Sequence, residues 1–277
     1  MYDALVIGGG PAGLQATLTL GRMHRSTLML DSGTYRNAPV EAMHNIVTND
    51  GRHPAEFRSI VRAELAAYAT VEIRDLGAES VERLPDGTFS VALADGMTET
   101  SRAVVLATGL RDVMPDVPGF AEQWGRTVHV CPFCHGHELS GRRVAIQDSP
   151  AAGHFVAMLS PVVGAIEIVP PVTGVQMTSE GLRVSSDTGA VVVDGLFAHP
   201  AYEQAAPFAA QLGLEMRESG CIAVDLFGHT SVPGVYAAGD LAHVADLPMP
   251  MPSVLAAAYA GQLAGASVVR DAAMAHA

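Results

Sequence analysis

Ala4-Leu5-Val6-Ile7-Gly8-Gly9-Gly10-Pro11-Ala12-Gly13 decides how the rest of the chain is read. Four consecutive apolar residues predict a short buried strand. The glycines predict a tight turn into a helix whose apolar residues are Leu14, Ala16, Leu18 and Leu20. Gly8, Gly10 and Gly13 match G-x-G-x-x-G. In that pattern the first glycine permits the turn, the second lets the backbone approach a pyrophosphate, and the third lets the helix pack on the strand. The anion would rest on the helix N-terminus, where free N–H groups and the macrodipole favour negative charge. A second strand, Thr27-Leu28-Met29-Leu30, ends at Asp31. That acid stands roughly 20 residues beyond the glycines, where a carboxylate can meet ribose hydroxyls. Strand, glycines, helix, strand and acid in this order predict an α/β dinucleotide-binding unit.

Working outward, Arg36-Asn37 and His44-Asn45 fall in a loop, and His44 and His53 read as polar surface or capping residues. Residues 53–68 predict an amphipathic helix through Phe57, Ile60, Val61, Leu65 and Tyr68. Residues 71–105 alternate as short strands, with hairpin turns at Pro85-Asp86-Gly87 and Asp95-Gly96. They close on Ala103-Val104-Val105-Leu106-Ala107-Thr108-Gly109, whose small last residues suit a backbone passing close to a ligand. Pro115, Pro118 and Gly119 suggest a crossing between domains. The strand Thr127-Val128-His129-Val130 then delivers Cys131-Pro132-Phe133-Cys134-His135.

Arg142-Arg143-Val144-Ala145-Ile146 echoes the first strand, but its turn reads Gln147-Asp148-Ser149-Pro150-Ala151-Ala152-Gly153. No glycine stands at the tight-turn or phosphate-approach position, and Asp148 would repel a pyrophosphate. The next strand, Ala165-Ile166-Glu167-Ile168-Val169, ends in Pro170-Pro171, and no Lys or Arg occurs between Arg143 and Arg183. A 2′-phosphate would need such a cation. Short strands with turns at Gly174, Gly181 and Gly195 follow. Val235-Tyr236-Ala237-Ala238-Gly239-Asp240 is a further strand. After a loop with Pro248, Pro250 and Pro252, an Ala-rich helix runs from Ser253, its expected N-cap, to about Arg270. Met249 and Met251 read as packing residues, or alternatively as a soft lid.

Composition bounds the function. With 277 residues, 49% hydrophobic and 16% charged, the chain can fill one large or two ordinary domains. Its net charge of −13, with every cation an Arg, argues against a general nucleic-acid footprint. Met1-Tyr2-Asp3 leads straight into a strand, so no leader is expected, and no apolar run suits a bilayer. A cytoplasmic location is therefore expected. Two of three cysteines lie in a C-x-x-C, which points to redox or metal work. Cys131, Cys134, His137 and Cys221 could make a zinc site, but inside a dinucleotide framework no metal is expected and Cys221 reads as a small buried residue.

Taken together, Gly8 to Gly13, Ala107-Thr108-Gly109, Cys131-Pro132-Phe133-Cys134 and Gly239-Asp240 resemble the low-molecular-weight thioredoxin reductase-like flavoproteins. The marks span nearly the whole chain in family order. The resemblance implies an α/β fold of two Rossmann-like, three-layer ββα domains, the second one reduced. Residues 1–112 and 222–277 would form a discontinuous FAD domain, and 113–221 a degenerate NAD(P)H-type domain carrying the cysteine pair. It implies FAD contacts at Gly8, Gly10, Pro11, Ala12, Gly13, Asp31, Ser32, Arg36, Asn37, Asn45, Ala78, Ala107, Thr108, Gly109, Gly239, Asp240, Ser253 and Val254, and it implies a homodimer. The reductases carry an acid directly after the second cysteine, where this chain has His135. With Glu138 following, the segment is more similar to the dithiol oxidases that close disulfides in gliotoxin, holomycin and romidepsin. Such relatives often place a His directly before the first cysteine. Here position 130 is Val, and His129 would face the opposite way on a strand.

The implied activity is an FAD-dependent dithiol oxidase that forms a disulfide in a small molecule or peptide, passes electrons to O2 as H2O2, and does not use NADPH. By the resemblance, Cys134 is the flavin-proximal sulfur and Cys131 exchanges with substrate. His135 is placed to move the thiol proton, with His137 a weaker candidate. A disulfide reductase fed by a non-nicotinamide donor and a non-catalytic flavin redox sensor are the alternatives.

Overall fold

β1 (Tyr2–Ile7) is the strand around which the first part of the chain is assembled. The computed structural model describes residues 1–275. β1 runs into α1 (Pro11–Arg22) and returns in β2 (Thr27–Leu30), which pairs with it in parallel. α2 covers Pro54–Leu65, shorter than expected because Ala66 and Ala67 turn out of the helix towards β3 (Val71–Arg74). β4 (Ala78–Arg83), β5 (Phe89–Leu93) and β6 (Thr98–Leu106) form the expected antiparallel meander. β6 is long enough to serve two purposes. Its first half pairs with β5, and its second half lies parallel to β1. The resulting order is β3-β2-β1-β6-β5-β4. β7 (Leu110–Val113) leads away.

The second part holds α3 (Phe120–Gln123), β8 (Val128–His129), α4 (Pro132–His135), β9 (Arg143–Gln147), α5 (Ala152–Leu159) and β10 (Ala165–Val169). β11 (Val172–Thr178), β12 (Gly181–Ser186), β13 (Gly189–Val193), β14 (Gly195–Phe197) and β15 (Ala201–Gln204) follow. β10-β9-β14-β8 is a parallel sheet, and β11-β12-β13 an antiparallel one. Gly174 marks a register shift inside β11 and not a turn. The chain ends through α6 (Phe208–Gln211), β16 (Ile222–Val224), β17 (Val235–Ala237), β18 (Ala242–Val244) and α7 (Val254–Met274). β17 pairs with β6 in parallel.

Contacts group Met1–Arg36, Ala55–Arg111 and the chain from Glu203 onward into one unit, and Asn37–Pro54 with Asp112–Tyr202 into another. The chain thus rejoins the first unit upstream of residue 222, because Phe208, Ala209 and Leu214 bury themselves in its core beside Phe89 and Val91. The loop 37–54 groups with the second unit.

Period-two alternation along β1 divides the first core. Leu5 and Ile7 face the meander with Leu28, Leu30, Phe89 and Val91. Ala4 and Val6 face the helices with Leu14, Leu20, Ala264 and Val268. α7 lies directly on α1 because Gly261 and Gly265 carry no side chain; a Cβ at Gly261 would strike the Ala12 carbonyl. Towards its C-terminal end α7 is anchored by Asp271, which accepts from His229 Nε2 and Tyr236 Oη, each at 2.8 Å. His229 Nδ1 faces Asp225 at 2.8 Å. Among the described residues no helix is long and apolar enough to cross a membrane.

Candidate active site

In the second unit, β8 is only two residues long, and the chain turns at Val130 into α4 with Cys131 as its N-cap. Pro132 is compatible with the first helical position, where its missing N–H is not needed. The single turn places Cys131 and Cys134 side by side as two thiols, Sγ to Sγ 2.8 Å. The Cys134 thiol, donating to Cys131, pulls Cys131 down to about 7 against the opposing effect of burial, and the N–H groups of Cys134 and Phe133 add to it. Cys134 is pushed up in return, first by that same hydrogen bond and then by burial and the charges of Cys131 and Glu138. The negative charge of the pair therefore sits on Cys131, the sulfur suited to nucleophilic exchange. Phe133, between them in sequence, is exposed.

Three imidazoles gather beside the pair. The α4 turn folds His135 back over His129, and the rings stack with centroids 4.0 Å apart and 20° between planes. This corrects the expectation that His129 faces away: β8 ends at His129, so strand alternation no longer governs where the following turn lands. His129 is 6% exposed and also packs against Phe197. Burial, then the charge of His135, lowers it to about 3. His135 is lowered as well, first by burial and then by His44, with Glu138 and the Cys131 backbone opposing. The Nδ1 atoms of both His129 and His135 are buried without a hydrogen-bond partner.

His44, expected at the surface, is the third imidazole. Its ring stands edge-on to His135, centroids 6.4 Å apart, and its Nδ1 lies 3.4 Å from Glu138 Oε1 and 3.7 Å from Asp50 Oδ1. The loop that carries it is closed on itself. Met43 N donates to Arg52 O, Gly51 N to Met43 O, and Asn45 N to Asp50 Oδ1, with Asn45 and Thr48 at positive φ. No pattern local to His44 announces this, since the partner residues lie about ninety positions away in the chain. His137 is exposed on the next turn, outside the cluster, and His53 is exposed as expected. Asn37 and Asn45 belong to this unit by contacts, Asn45 being exposed.

The first unit holds the glycine turn. Gly8 sits at φ 119°, and a Cβ there would collide with the Ala107 carbonyl, so the β1–α1 turn and the Ala107-Thr108-Gly109 turn touch backbone to backbone. A Cβ at Gly13 would strike the Gly8 carbonyl, whereas one at Gly10 meets nothing within 4 Å. α1 has no side-chain cap. Gly10 thus opens a cradle beside uncapped N–H donors, followed by Pro11 and Ala12, which suits the pyrophosphate of a dinucleotide. Gly239, at φ 91°, brings its turn against Ala12, and Asp240 Oδ2 accepts from Arg36 Nη1 at 3.0 Å. Asp31 is 2% exposed and packs under Gly9. Its oxygens accept from Gly33 N, Tyr35 Oη and Arg62 Nη1, so it holds the turn itself, and the neighbouring Ser32 is the exposed group. Ala78 opens β4 next to Gly77, which lies near Ser32. Ser253 caps α7, its Oγ accepting from Ala256 N at 3.0 Å, and Val254 begins the helix. Met249 and Met251 are exposed and do not pack in the core, while Cys221 is buried, its Sγ donating to Asp240 O.

A family model described as pyridine nucleotide-disulphide oxidoreductase matches residues 2–146 and 166–264. The intervening stretch, 147–165, is the turn after β9 and helix α5. Among curated proteins, thioredoxin reductase sirT of Leptosphaeria maculans is 34% identical over 97% of this chain and 93% of its own length. Thioredoxin reductase tcpT of Claviceps purpurea is 33% identical over 98% and 95%. Among solved structures, an oxidoreductase from Agrobacterium tumefaciens aligns with a TM-score of 0.88 at 27% identity, covering 99% of each chain. The structure of HlmI aligns with a TM-score of 0.83 at 30% identity, over 99% of this chain and 97% of that one.

Proposed function

The chain belongs to the pyridine nucleotide-disulphide oxidoreductase family, and on that premise we propose that it is an FAD-dependent dithiol oxidase acting on a small molecule or peptide, with O2 as acceptor and without NADPH. The Gly8–Gly13 turn would hold FAD, which would supply a two-electron acceptor that O2 can reoxidise with formation of H2O2. The chain's own residues handle sulfur and protons. A substrate thiolate attacks Cys131 Sγ of the oxidised pair and Cys134 leaves; the second substrate thiol then displaces Cys131 and closes the product disulfide. The low proton affinity of Cys131 makes it a good leaving group in that last step. His135, half-buried and holding its proton weakly, takes the proton of the incoming thiol. Exposed Phe133 beside Cys131 offers an apolar contact to the substrate.

One observation carries the reading: the glycine turn is complete in the first unit and replaced by Gln147 to Gly153 in the second, within the stretch that the family model passes over. The test is a spectrum of the purified flavoprotein, first with NADPH and then with dithiothreitol, together with oxygen uptake under air. Bleaching by the dithiol alone, with peroxide formed, supports the oxidase. Bleaching by NADPH, or no oxygen uptake with any dithiol, would sink it. The relatives are named reductases, and a second reading is a disulfide reductase fed by a non-nicotinamide donor, which rapid reduction by a protein donor would single out. A homodimer in the cytoplasm completes the proposal, and sedimentation of the holoprotein tests the dimer.

A further inference from the structure

We propose that His44 is a positioning residue of the cysteine site: it relieves His135 of the proton taken from substrate and delivers it to Glu138 and the solvent. The inference rests on the reading that His135 serves dithiol exchange at Cys131. When a substrate dithiol reduces the oxidised pair, the substrate loses two electrons and the pair gains them. Of the two S–H protons, one ends on Cys134. Cys131 holds its proton more weakly than Cys134, so the other passes through His135 and must leave before the next turnover.

His135 is poorly placed to release it unaided. Its Nδ1 is buried with no partner, and one ring face is covered by His129. The groups facing it are His129 from β8, the Cys131 backbone from its own turn, Glu138 just after that turn, and His44 from the 37–54 loop, with Asp50 behind His44. His129 cannot accept the proton, because burial holds it neutral down to about 3. His44 can. Carboxylates on its Nδ1 side favour the tautomer with hydrogen on Nδ1, leaving a lone pair on Nε2. At 6.4 Å between centroids, one water can bridge the two imidazoles. Exposure then rises outward, from 19% for the His44 side chain to 38% for Glu138 and 70% for Asp50. The three residues form a graded exit from a buried base.

The experiment follows exchange itself, independent of flavin turnover. The oxidised pair in the full-length holoprotein is reduced by dithiothreitol from about pH 5.5 to about 9, and freed thiols are trapped by alkylation and counted by mass. His44→Gln should slow exchange about tenfold or more at neutral pH, change the slope of the pH profile, and be partly rescued by added imidazole. Glu138→Gln, an exposed change that spares the fold, should slow it about threefold with the same change of slope. A wild-type rate and profile in either variant overturns the proposal. So does a uniform loss at every pH that imidazole leaves untouched, the mark of a merely structural role. If His44→Gln fails to fold, Glu138→Gln decides alone. Oxygen uptake by the wild-type protein is measured in parallel; its absence sinks the oxidase reading, while the exchange rates still decide the fate of His44.

Discussion

β1-α1-β2 and β9-α5-β10 are the same construction made twice. In each, a strand pairs in parallel with the strand after its helix on one side and with a third strand on the other: Ile7 with Leu30 and Leu106, Ile146 with Ile168 and Phe197. Counting from those two isoleucines, Gly8 corresponds to Gln147, Gly10 to Ser149, Pro11 to Pro150 and Gly13 to Ala152. The turns then diverge. α1 starts at Pro11, whereas α5 starts only at Ala152, after Ala152 N has bonded to Ser149 O at 3.0 Å. The first strand pair ends in Asp31, held under the turn, and the second in Pro170. What the strands and apolar faces require has been kept in both units; the glycine turn has been kept in one. Gly8 and Gly13 are demanded by backbone contacts of the turn itself, and of the three glycines only Gly10 leaves open space.

The comparison is sharpest at Gly13. Gly13→Val would drive a side chain into the Gly8 carbonyl, so we expect about 4 kcal/mol or more of lost stability and loss of flavin, read by urea unfolding and by the visible spectrum. Asp31→Ala removes the acceptor of Gly33 N, Tyr35 Oη and Arg62 Nη1, while Arg62 keeps Asp75, and should cost about 2 kcal/mol by the same measurement, with weaker flavin retention. A wild-type unfolding midpoint in either would mean that the first turn is no more constrained than the second.

The units should also differ towards acid and base. His129 is lowered by burial from 6.5 to about 3, so its contribution is complete above about 6.5 and is lost as the pH falls towards 3. His229 is raised: burial opposes, but hydrogen bonds to Asp271 and Asp225 prevail, so its contribution is complete below 6.5 and is lost as the pH rises through its raised value. Hydrogen exchange should show the second unit loosening first in acid, with His129→Phe abolishing the effect, and the α7 anchor loosening first in base. The reverse order would break the contrast.

Smaller effects follow. Alkylation of Cys131 should show a midpoint near pH 7, and Cys134→Ala should move it up by about one unit, since the largest cause of the depression is the donated thiol hydrogen. Smallest of all, Ala152→Gly at the counterpart of Gly13 should cost only about 1 kcal/mol, with the flavin retained. A loss as large as that of Gly13→Val would show that the second turn still answers to a ligand.

Glycine turns, hairpins and the Ser253 cap were legible in the sequence because each depends on residues within a few positions of one another. That is why β2 and β10, both hairpin turns of the meander and the start of α7 stand where the pattern puts them. The pairing of Arg36 with Asp240 and the gathering of His44, His129 and His135 were not legible. Strand alternation even pointed the wrong way for His129, because it holds only while the strand continues, and β8 stops there. By itself the sequence determined the two repeated α/β units, the loss of glycines from the second, and the spacing that pairs Cys131 with Cys134. Only the tertiary structure decided which imidazoles gather around His135 and which carboxylates reach His44. Those contacts join segments about ninety residues apart, and the packing of a closed loop against a single helical turn brings them together.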